Sequence, residues 1–253
     1  GANFPRSLLL ESDFDIVGLF VIADPPRPEA YDAVATCRNA GIRPVMITGD
    51  SAATAAEIAS TLGVMQQGDM VVDGERLSAM SDEQLHDKIA DIAVFARVTP
   101  ADKLRIVEAL QSRGAVVAMT GDGVNDAPAL QRADIGCAMG SGTEVAKDAA
   151  DMILADDNFA TVVKAVALGR SVYQNIKKAV TYLLTCNVGE VLCVFFALLL
   201  FDVSPLSAMQ LLWVNLVTDG LPGLALGIYK PESDVMSRPP KGKEQSFFSG
   251  GGG

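Results

Sequence analysis

Polar residues that suit a phosphate group and a hard cation follow three short apolar runs in the first half of the chain. The run PVMITGD ends in a threonine, a glycine and an aspartate, and AVVAMTGDGVND ends in two aspartates and an asparagine. Between them, FARVTPADK places a lysine at the start of a helical stretch. These residues are Thr48, Gly49, Asp50, Lys103, Asp122, Asn125 and Asp126. Their types predict a site for a phosphoryl group and a divalent cation.

The chemistry of these groups favours phosphoryl transfer. A threonine hydroxyl and exposed backbone N–H groups bind phosphate oxygens, a lysine neutralises them as a point charge, and close carboxylates bind Mg²⁺. In such a reaction the protein mainly positions groups and compensates charge. The alternative is ordinary turn chemistry, because Gly-Asp is common in turns. Two TGD strings on either side of the lysine favour the site.

The elements that must position these groups are strands and helices in alternation over residues 14–157. Such alternation predicts an α/β, Rossmann-like fold with a parallel sheet and helices on both faces, where ligands bind beyond the carboxyl ends of the strands. Ser51 can cap the second helix, while the first and third begin near proline and end in glycine. Residues 65–88 predict a small excursion with one helix. The predicted strands lie in FDIVGLFVIAD, IRPVMITGD, IAVFARV, AVVAMTGD, DIGCAMG and MILAD.

The second half of the chain has the composition of a membrane segment. Residues 179–201 and 205–228 are apolar, and roughly 20 such residues span a bilayer. The mean hydropathy of the chain is +0.28 although its formal net charge is −11. The short FDVSP connection predicts a transmembrane helical hairpin, and basic residues at both of its ends predict that this side is cytoplasmic. The alternative is a pair of buried helices in a soluble core.

Both predicted spans carry polar side chains, which are costly in a bilayer and usually functional. Asn187 and Glu190 lie three residues apart in the first span. In the second span Asn215, Thr218 and Asp219 are spaced at three and four, so each set is expected on one helical face. The glycines and proline that follow should loosen the helix. Two carboxylates with amide and hydroxyl oxygens suit a hard cation such as Ca²⁺, and the alternative is hydrogen bonding between helices.

Charge and cysteine content disfavour other classes of function. The chain is acidic and has no basic cluster with interleaved aromatic residues, so a nucleic-acid partner is not expected. Its four cysteines form no CxxC pair and it has one histidine, which disfavours a zinc site. The first residues do not have the pattern of a signal peptide.

Three strings together resemble the phosphorylation domain of P-type cation-transporting ATPases, and the resemblance covers nearly the whole chain. They are TGDGVNDAPAL at 120–130, MITGD at 46–50 and DPPRPEA at 24–30. The resemblance implies a fold of the haloacid dehalogenase superfamily, with ATP as substrate and Mg²⁺ as cofactor. The implied roles are Mg²⁺ ligation by Asp122 with Asn125 and Asp126 beside it, phosphoryl binding by Thr48 and Gly49, neutralisation by Lys103, and a hinge-side position for Asp50.

Two further strings, NVGE at 187–190 and NLVTDGLP at 215–222, resemble the calcium-pump subgroup of that family. The resemblance implies Ca²⁺ as the transported ion, with further ligands on membrane helices outside this chain. The Cys-Pro-Cys motif of heavy-metal pumps is absent from both spans. The implied ligands are Asn187, Glu190, Thr218 and Asp219 for one ion, and Asn215 and Asp219 for a second.

The chain departs from the family pattern because the DKTGT string with the nucleophilic aspartate does not occur in residues 1–253. We therefore expect a fragment whose partners are the bilayer and the remainder of the pump, including its actuator and nucleotide-binding domains. The expected parts are a phosphorylation domain at 1–157, a stalk helix at 158–178, a transmembrane hairpin at 179–228 and a cytoplasmic tail at 229–253.

Two alternatives stay open. The first is a membrane-anchored phosphatase of the haloacid dehalogenase superfamily, which needs its own nucleophile, usually the first aspartate of a DxD string after a strand. The DFD string at 13–15 precedes its strand and Asp24 precedes two prolines, so neither fits. The second alternative is a catalytically incomplete fragment that still binds Mg²⁺ or Ca²⁺.

Overall fold

The computed structural model describes residues 25–230, 232 and 234–240. The predicted first strand, at 14–24, lies outside the described residues, as do the DFD string and residues 241–253 of the predicted tail. The fold is therefore described from the helix that follows the two prolines at 25 and 26.

The first part of the chain alternates strands and helices up to Leu154, as its sequence predicts. Its strands are β1 (Met46–Thr48), β2 (Met70–Asp73), β3 (Ile92–Ala96), β4 (Ala118–Gly121), β5 (Ile135–Met139) and β6 (Met152–Leu154). Its helices are α1 (Pro28–Asn39), α2 (Ala52–Thr61), α3 (Gly74–Ala79), α4 (Asp82–Lys88), α5 (Pro100–Ser112), α6 (Ala127–Arg132) and α7 (Glu144–Asp148), with short 3₁₀ turns at Ile89–Asp91 and Val124–Asp126.

The described strands form two parallel three-stranded sheets, ordered β1-β3-β2 and β4-β5-β6. The single sheet that the sequence predicts also includes a strand at 14–24, which lies outside the described residues. The prediction of parallel strands is confirmed, since every described pair is parallel. Ile47 of β1 packs against the core clusters on both sides of this division. The sheets are therefore joined by apolar packing among the described residues. Each TGD string lies at the carboxyl end of the first strand in the order of its described sheet.

The helix-end signals in the sequence are confirmed. Ser51 accepts a hydrogen bond from the N–H of Thr54 and so caps α2. Helices α1 and α5 have proline in their first turn, and the glycines that follow them, Gly41 and Gly114, adopt left-handed φ values of 69° and 80°. Glycine is suited to these positions because it has no Cβ to clash in that region.

The prediction of one helix in the excursion at 65–88 is wrong. The segment contains β2 followed by two short helices, α3 and α4. The apolar residues of MVVD extend the first sheet by pairing with β3. Ser81 and Gln84 form a capping box that starts a new helix, which separates α4 from α3.

The second part of the chain is a long helix followed by a shorter helical run. Helix α8 covers Phe159–Phe201 without interruption, so the predicted stalk and first span are one helix of 43 residues, about 65 Å long at 1.5 Å per residue. The shorter run comprises α9 (Ala208–Trp213), a π-helical segment (Val214–Asp219) and α10 (Gly220–Gly227).

The two helical runs pack against each other in antiparallel directions. Near the start of the pair, the Asn175 side chain donates to the carbonyl of Tyr229 at 2.8 Å. Farther along α8, Leu183 lies so close to Gly223 that a Cβ there would be 3.4 Å from Cδ2 of the leucine. The run therefore returns along α8, as a hairpin requires.

One helix in the described part of the chain, α8, is long and apolar enough to cross a membrane. Its most apolar stretch of 18 residues has a mean hydropathy of 2.2, and none of that stretch is buried within the chain. A core helix of a soluble protein would be covered, so this exposure disfavours the soluble alternative and favours association with a membrane.

Candidate functional site

The loop after β4 is folded around the carboxylate of Asp126. Asp126 is buried, with 6% of the whole residue exposed, and its Oδ2 accepts hydrogen bonds from the backbone N–H groups of Asp122 at 3.3 Å and Gly123 at 3.2 Å. Strand β4 ends at Gly121, and the 3₁₀ turn Val124–Asp126 brings the carboxylate back beneath the loop. Asp126 therefore holds the shape of the loop that presents Asp122.

Lys103 reaches the same carboxylate from helix α5. A capping box between Thr99 and Asp102, followed by Pro100, fixes the first turn of that helix. From there Nζ of Lys103 lies 2.5 Å from Oδ1 of Asp126, and the two side chains are 17% and 8% exposed. The structure thus joins Lys103 to the Asp122–Asp126 loop, and the lysine charge is compensated within the chain.

Asp122 and Asn125 are both exposed at this loop. Among the described residues, no hydrogen bond is found to either side chain, so the carboxylate of Asp122 is available to a ligand. No group of three or more histidine, cysteine, aspartate or glutamate residues in the described part of the chain could hold a metal by itself. A single free carboxylate fits Mg²⁺, which is commonly bound by one or two carboxylates together with phosphate oxygens and water.

The second TGD string forms a local turn after β1. The hydroxyl of Thr48 donates to Oδ2 of Asp50 at 3.0 Å, and the N–H of Asp50 donates back to that hydroxyl at 3.1 Å. Gly49 is exposed, and a Cβ placed on it would meet nothing within 4 Å. The described residues show no hydrogen bond between this turn and the Asp122–Asp126 loop, so the structure leaves Thr48 and Gly49 as a separate candidate for binding an anion.

A third loop, between β5 and α7, contacts Asp122 through its backbone. The N–H of Thr143 donates to the carbonyl of Asp122 at 2.8 Å. Gly142 is so close that a Cβ would lie 2.9 Å from the same carbonyl oxygen. These residues were not among those predicted from the sequence. Their only signal was the small-residue string GSGT after a predicted strand.

In the helical pair, Glu190 and Asn215 are in direct contact. The amide Nδ2 of Asn215 donates to Oε2 of Glu190 at 3.1 Å. The other carboxylate oxygen, Oε1, is buried and has no hydrogen-bond partner among the described residues. Asp219 is buried at 5% exposure, and its Oδ2 likewise has no hydrogen-bond partner in the described part of the chain. Two carboxylates of the predicted cation site therefore carry an unsatisfied buried oxygen.

The expectation that all five polar residues face one site is only partly met. Asn187 is exposed, and its amide donates to the carbonyl of Leu183 at 2.9 Å on its own helix. Thr218 is also exposed, whereas Asp219 is buried. The expected common face assumed α-helical spacing, but residues 214–219 form a π-helix with i→i+5 hydrogen bonds, which turns them differently.

The π-helical segment coincides with the predicted ligand string of the second span. Its last bond runs from the N–H of Gly220 to the carbonyl of Asn215. Pro222 has no N–H to donate to the carbonyls one turn earlier, which removes a bond of the regular α-helix. The expected loosening is thus present, although its form was not predicted. Such segments are rare and frequently occur at functional sites.

Comparison with protein families places the first half of the chain. Residues 3–134 match the family of haloacid dehalogenase-like hydrolases, and residues 103–166 match a second family of the same description. Because the first match covers more than half of the chain, the chain belongs to the haloacid dehalogenase-like hydrolases. Residues 203–253 match the C-terminus of cation transporting ATPases.

Individual relatives narrow this assignment. The chain is 49% identical over 241 residues to calcium-transporting ATPase 1 of Lactococcus lactis, and 52% identical over 240 residues to the calcium-transporting ATPase of Bacillus subtilis. These alignments cover 95% and 94% of this chain but 27% of each relative, so the chain spans about a quarter of their length. The resemblance to P-type ATPases inferred from the motifs is confirmed.

A solved structure supports the same fold. The crystal structure of a zinc-transporting PIB-type ATPase in the E2.Pi state is 28% identical to this chain, with a TM-score of 0.57. The match covers 81% of this chain and 27% of that chain. It therefore extends beyond the haloacid dehalogenase-like part alone.

Proposed function

We propose that this chain is part of an ATP-driven, calcium-transporting P-type ATPase. In this proposal, formation and hydrolysis of an aspartyl-phosphate are coupled to Ca²⁺ movement across a membrane. The observation that carries it is the pair of buried, unpartnered carboxylate oxygens on Glu190 and Asp219, in the same chain as a phosphoryl-transfer loop. The two relatives described above are much longer than this chain and are named calcium-transporting ATPases, which supports the proposal.

In the haloacid dehalogenase-like half, the family implies use of ATP and a divalent metal, and we propose that the metal is Mg²⁺. Asp122 would ligate it, since its carboxylate is exposed and without a partner, and bound Mg²⁺ would supply positive charge to the phosphoryl oxygens. Asp126 would act beside it by holding the loop and fixing Lys103. Asn125 is exposed on the same loop and would face the phosphoryl group.

The turn after β1 would bind phosphoryl oxygens. Gly49 leaves room for close approach, and Thr48 could exchange its bond to Asp50 for one to a phosphate oxygen. Lys103 would neutralise the phosphoryl charge while it is held by Asp126, so its ammonium would need little reorganisation when charge develops. The nucleophilic aspartate and the adenine-binding domain would come from the remainder of the pump.

In the helical half, we propose that Glu190, Asn215 and Asp219 bind Ca²⁺ as transported substrate. Oxygen donors from carboxylates and amides are the ligands that Ca²⁺ prefers. Asn187 and Thr218 would join after side-chain rotation, because both are exposed in this conformation. An unpaired carboxylate within a bilayer is costly. These groups would therefore be ion-bound or protonated, which makes proton countertransport part of the proposal.

The same proposal fixes the topology. Helices α8 and α10 would form a transmembrane hairpin of a multi-pass protein, with the haloacid dehalogenase-like half in the cytoplasm. Lys177, Lys178 and Lys230 lie where both helices would leave the bilayer on that side, as the positive-inside rule requires. Helix α8 would carry motion between the two sites, because it runs unbroken from Phe159, next to the phosphoryl-transfer half, past Glu190.

The test is Asp219→Asn in the full-length pump. We expect loss of Ca²⁺-activated phosphorylation by ATP but retention of phosphorylation by inorganic phosphate, which needs the cytoplasmic site and the ion-free conformation. Asp202→Asn is the matched control, because Asp202 is an exposed carboxylate in the connection between the helical runs. Unchanged Ca²⁺ affinity in Asp219→Asn would reduce the polar residues to hydrogen bonding between helices and remove the calcium assignment.

A further inference from the structure

The loop Gly140–Thr143 lies against the backbone of the proposed metal ligand. Besides the bond from the N–H of Thr143 to the carbonyl of Asp122, the N–H of Gly142 donates to the carbonyl of Met139 at 3.0 Å. A Cβ on Gly142 would lie 2.9 Å from both carbonyl oxygens and 3.1 Å from Cα of Asp122. These atoms are backbone and cannot swing away, so any side chain at this position must displace the peptide of Asp122 or the loop itself.

The opposite side of the same loop lies against the turn that begins helix α8. The N–H of Gly140 donates to the carbonyl of Leu154 at 2.8 Å, and a Cβ on Gly140 would lie 2.9 Å from that oxygen. The N–H of Ser141 donates to Oδ1 of Asp157 at 2.9 Å. The loop is therefore fixed between Asp122 on one side and the start of α8 on the other.

Asp157 is set up to hold this position. Its φ of 52° lies in the left-handed region, which aspartate and asparagine tolerate better than most residues. Hydrogen bonding from Ser141 holds the pKa of the Asp157 carboxyl below its ordinary value, as expected for a bond that favours the charged acceptor. The carbonyl of Asp157 in turn accepts from the guanidinium of Arg27 at 3.0 Å, which ties the turn to the segment before α1.

We propose that the loop Gly140–Thr143 is a positioning element for Asp122, and that Asp157 sets its position from the start of helix α8. The bonds from Ser141 to Asp157 and from Thr143 to Asp122, with the contact of Gly142, then connect a displacement of that helix end to the carboxylate that ligates the metal. This inference rests on the proposed function, because it assumes that Asp122 binds a divalent cation. It adds that metal affinity depends on residues that do not touch the metal.

If the loop had only a structural role, its substitutions would have different effects. In that case substitutions in the loop would lower the thermal stability of the chain and leave the metal affinity of the folded protein unchanged. A positioning role predicts a loss of metal affinity in protein that is still folded. It also predicts that Asp157→Asn keeps the affinity, because asparagine retains an acceptor oxygen and tolerates the left-handed φ. Metal affinity and melting temperature therefore have to be measured on the same samples.

The experiment measures Mn²⁺ binding to the purified full chain in detergent micelles by electron paramagnetic resonance, with Mn²⁺ as the probe for the Mg²⁺ site. We expect Gly142→Ala to weaken the affinity about tenfold, at the lower end of the range for partners that orient a metal ligand. Asp157→Ala should weaken it in the same direction, whereas Asp157→Asn should stay near the unsubstituted chain. Gly169→Ala is the control, because a Cβ there would meet nothing within 4 Å.

The outcomes separate the two hypotheses. If Asp122→Ala binds Mn²⁺ as tightly as the unsubstituted chain, the metal assignment of the proposed function fails. If Asp122→Ala loses binding while folded Gly142→Ala and Asp157→Ala keep it unchanged, the positioning role is refuted and the proposed function stands. Should Gly142→Ala not fold, the comparison of Asp157→Ala with Asp157→Asn decides the question alone: equal affinities in these two variants refute the role of Asp157.

Discussion

Two glycines in one loop give a matched pair of substitutions whose outcomes should differ. A Cβ on Gly121 would lie 2.5 Å from Cβ of Asp126, 2.7 Å from its Cγ and 2.9 Å from its Oδ2. A Cβ on Gly123 would have its nearest neighbour, the same Oδ2, at 3.6 Å, which is ordinary contact. Gly123 also has an extended backbone that alanine adopts without strain. Each change adds one methyl group to the same loop.

The size of the effect follows from what Asp126 must give up. Relief of the clash at Gly121 requires the carboxylate of Asp126 to move. The bonds from the N–H groups of Asp122 and Gly123 to that carboxylate are already 3.3 and 3.2 Å long. Adding a methyl group to a well-packed site typically costs about 1–3 kcal/mol. For a chain of this size that is a decrease in melting temperature of about 2–12 °C. Gly123→Ala should change the free energy of unfolding by less than about 0.5 kcal/mol.

Thermal unfolding followed by far-ultraviolet circular dichroism in detergent micelles measures this difference. Gly121→Ala should also weaken Mn²⁺ binding, because the loop that presents Asp122 is built on the displaced carboxylate. Equal melting temperatures and equal Mn²⁺ affinities for the two alanine variants would refute the claim that Asp126 holds the loop. A larger effect at Gly123 would refute the geometry itself.

Three other predictions concern catalysis and pH. The purified chain should release no phosphate from ATP with Mg²⁺, because DKTGT is absent from its sequence; turnover that is lost in Asp122→Ala would instead favour the phosphatase alternative. In the full-length pump, Asp122→Ala should abolish the acid-stable phosphoenzyme. Lys103→Ala should lower the rate of phosphoenzyme formation by about 10²–10³-fold, as for loss of a charge-stabilising group. Formation of the phosphoenzyme at the unsubstituted rate in either variant would contradict the assigned roles. The Thr161 hydroxyl donates to Asp156 at 2.6 Å and holds the pKa of that carboxyl below its ordinary value. This hydrogen bond therefore stabilises the folded chain above the unfolded-state pKa of about 3.9, and the stabilisation is lost as pH falls through the folded-state pKa. Carboxyl-carbon NMR titration should find a higher pKa in Thr161→Val, and an unchanged pKa would contradict this assignment.

The parts of the fold that local chemistry decides could be predicted from sequence. Ser51, Pro100 and Gly114 mark helix ends through backbone groups within a few residues, and the structure has these ends. The excursion was not predictable in the same way. Whether MVVD forms a strand depends on a free edge of β3, which lies about twenty residues farther along the chain. A run of three apolar residues does not reveal such a partner.

The same division holds for the candidate sites. The position of Lys103 near the β4 loop followed from the rule that parallel strands present their carboxyl ends at one edge. Its ion pair with Asp126 did not follow, because it depends on how the 3₁₀ turn directs that side chain inward. The exposure of Thr218 was missed for a related reason. The prediction of which side chains share one helical face assumed α-helical spacing, and the π-helical segment changes the direction in which these side chains leave the helix.

The buried carboxylates of the chain bear on the choice between the proposed pump and an anchored phosphatase. Three aspartates are buried in the described residues, Asp102, Asp126 and Asp219. Asp102 accepts from the N–H and hydroxyl of Thr99, and Asp126 accepts from two backbone N–H groups and Lys103. Asp219 retains a buried oxygen to which no described residue donates a hydrogen bond.

This difference has a physical consequence for the helical half. Leaving a buried charge without one of its partners costs several kcal/mol. A buried carboxylate oxygen that has no partner within the protein is therefore expected to have one outside it, such as a bound ion or a proton. Hydrogen bonding between helices accounts for Glu190 Oε2, which accepts from Asn215, but leaves Oε1 of Glu190 and Oδ2 of Asp219 unexplained. A membrane anchor has no use for two such oxygens on facing helices. Under the proposed function, a bound cation or a proton would satisfy both oxygens, and both belong to the described helical pair.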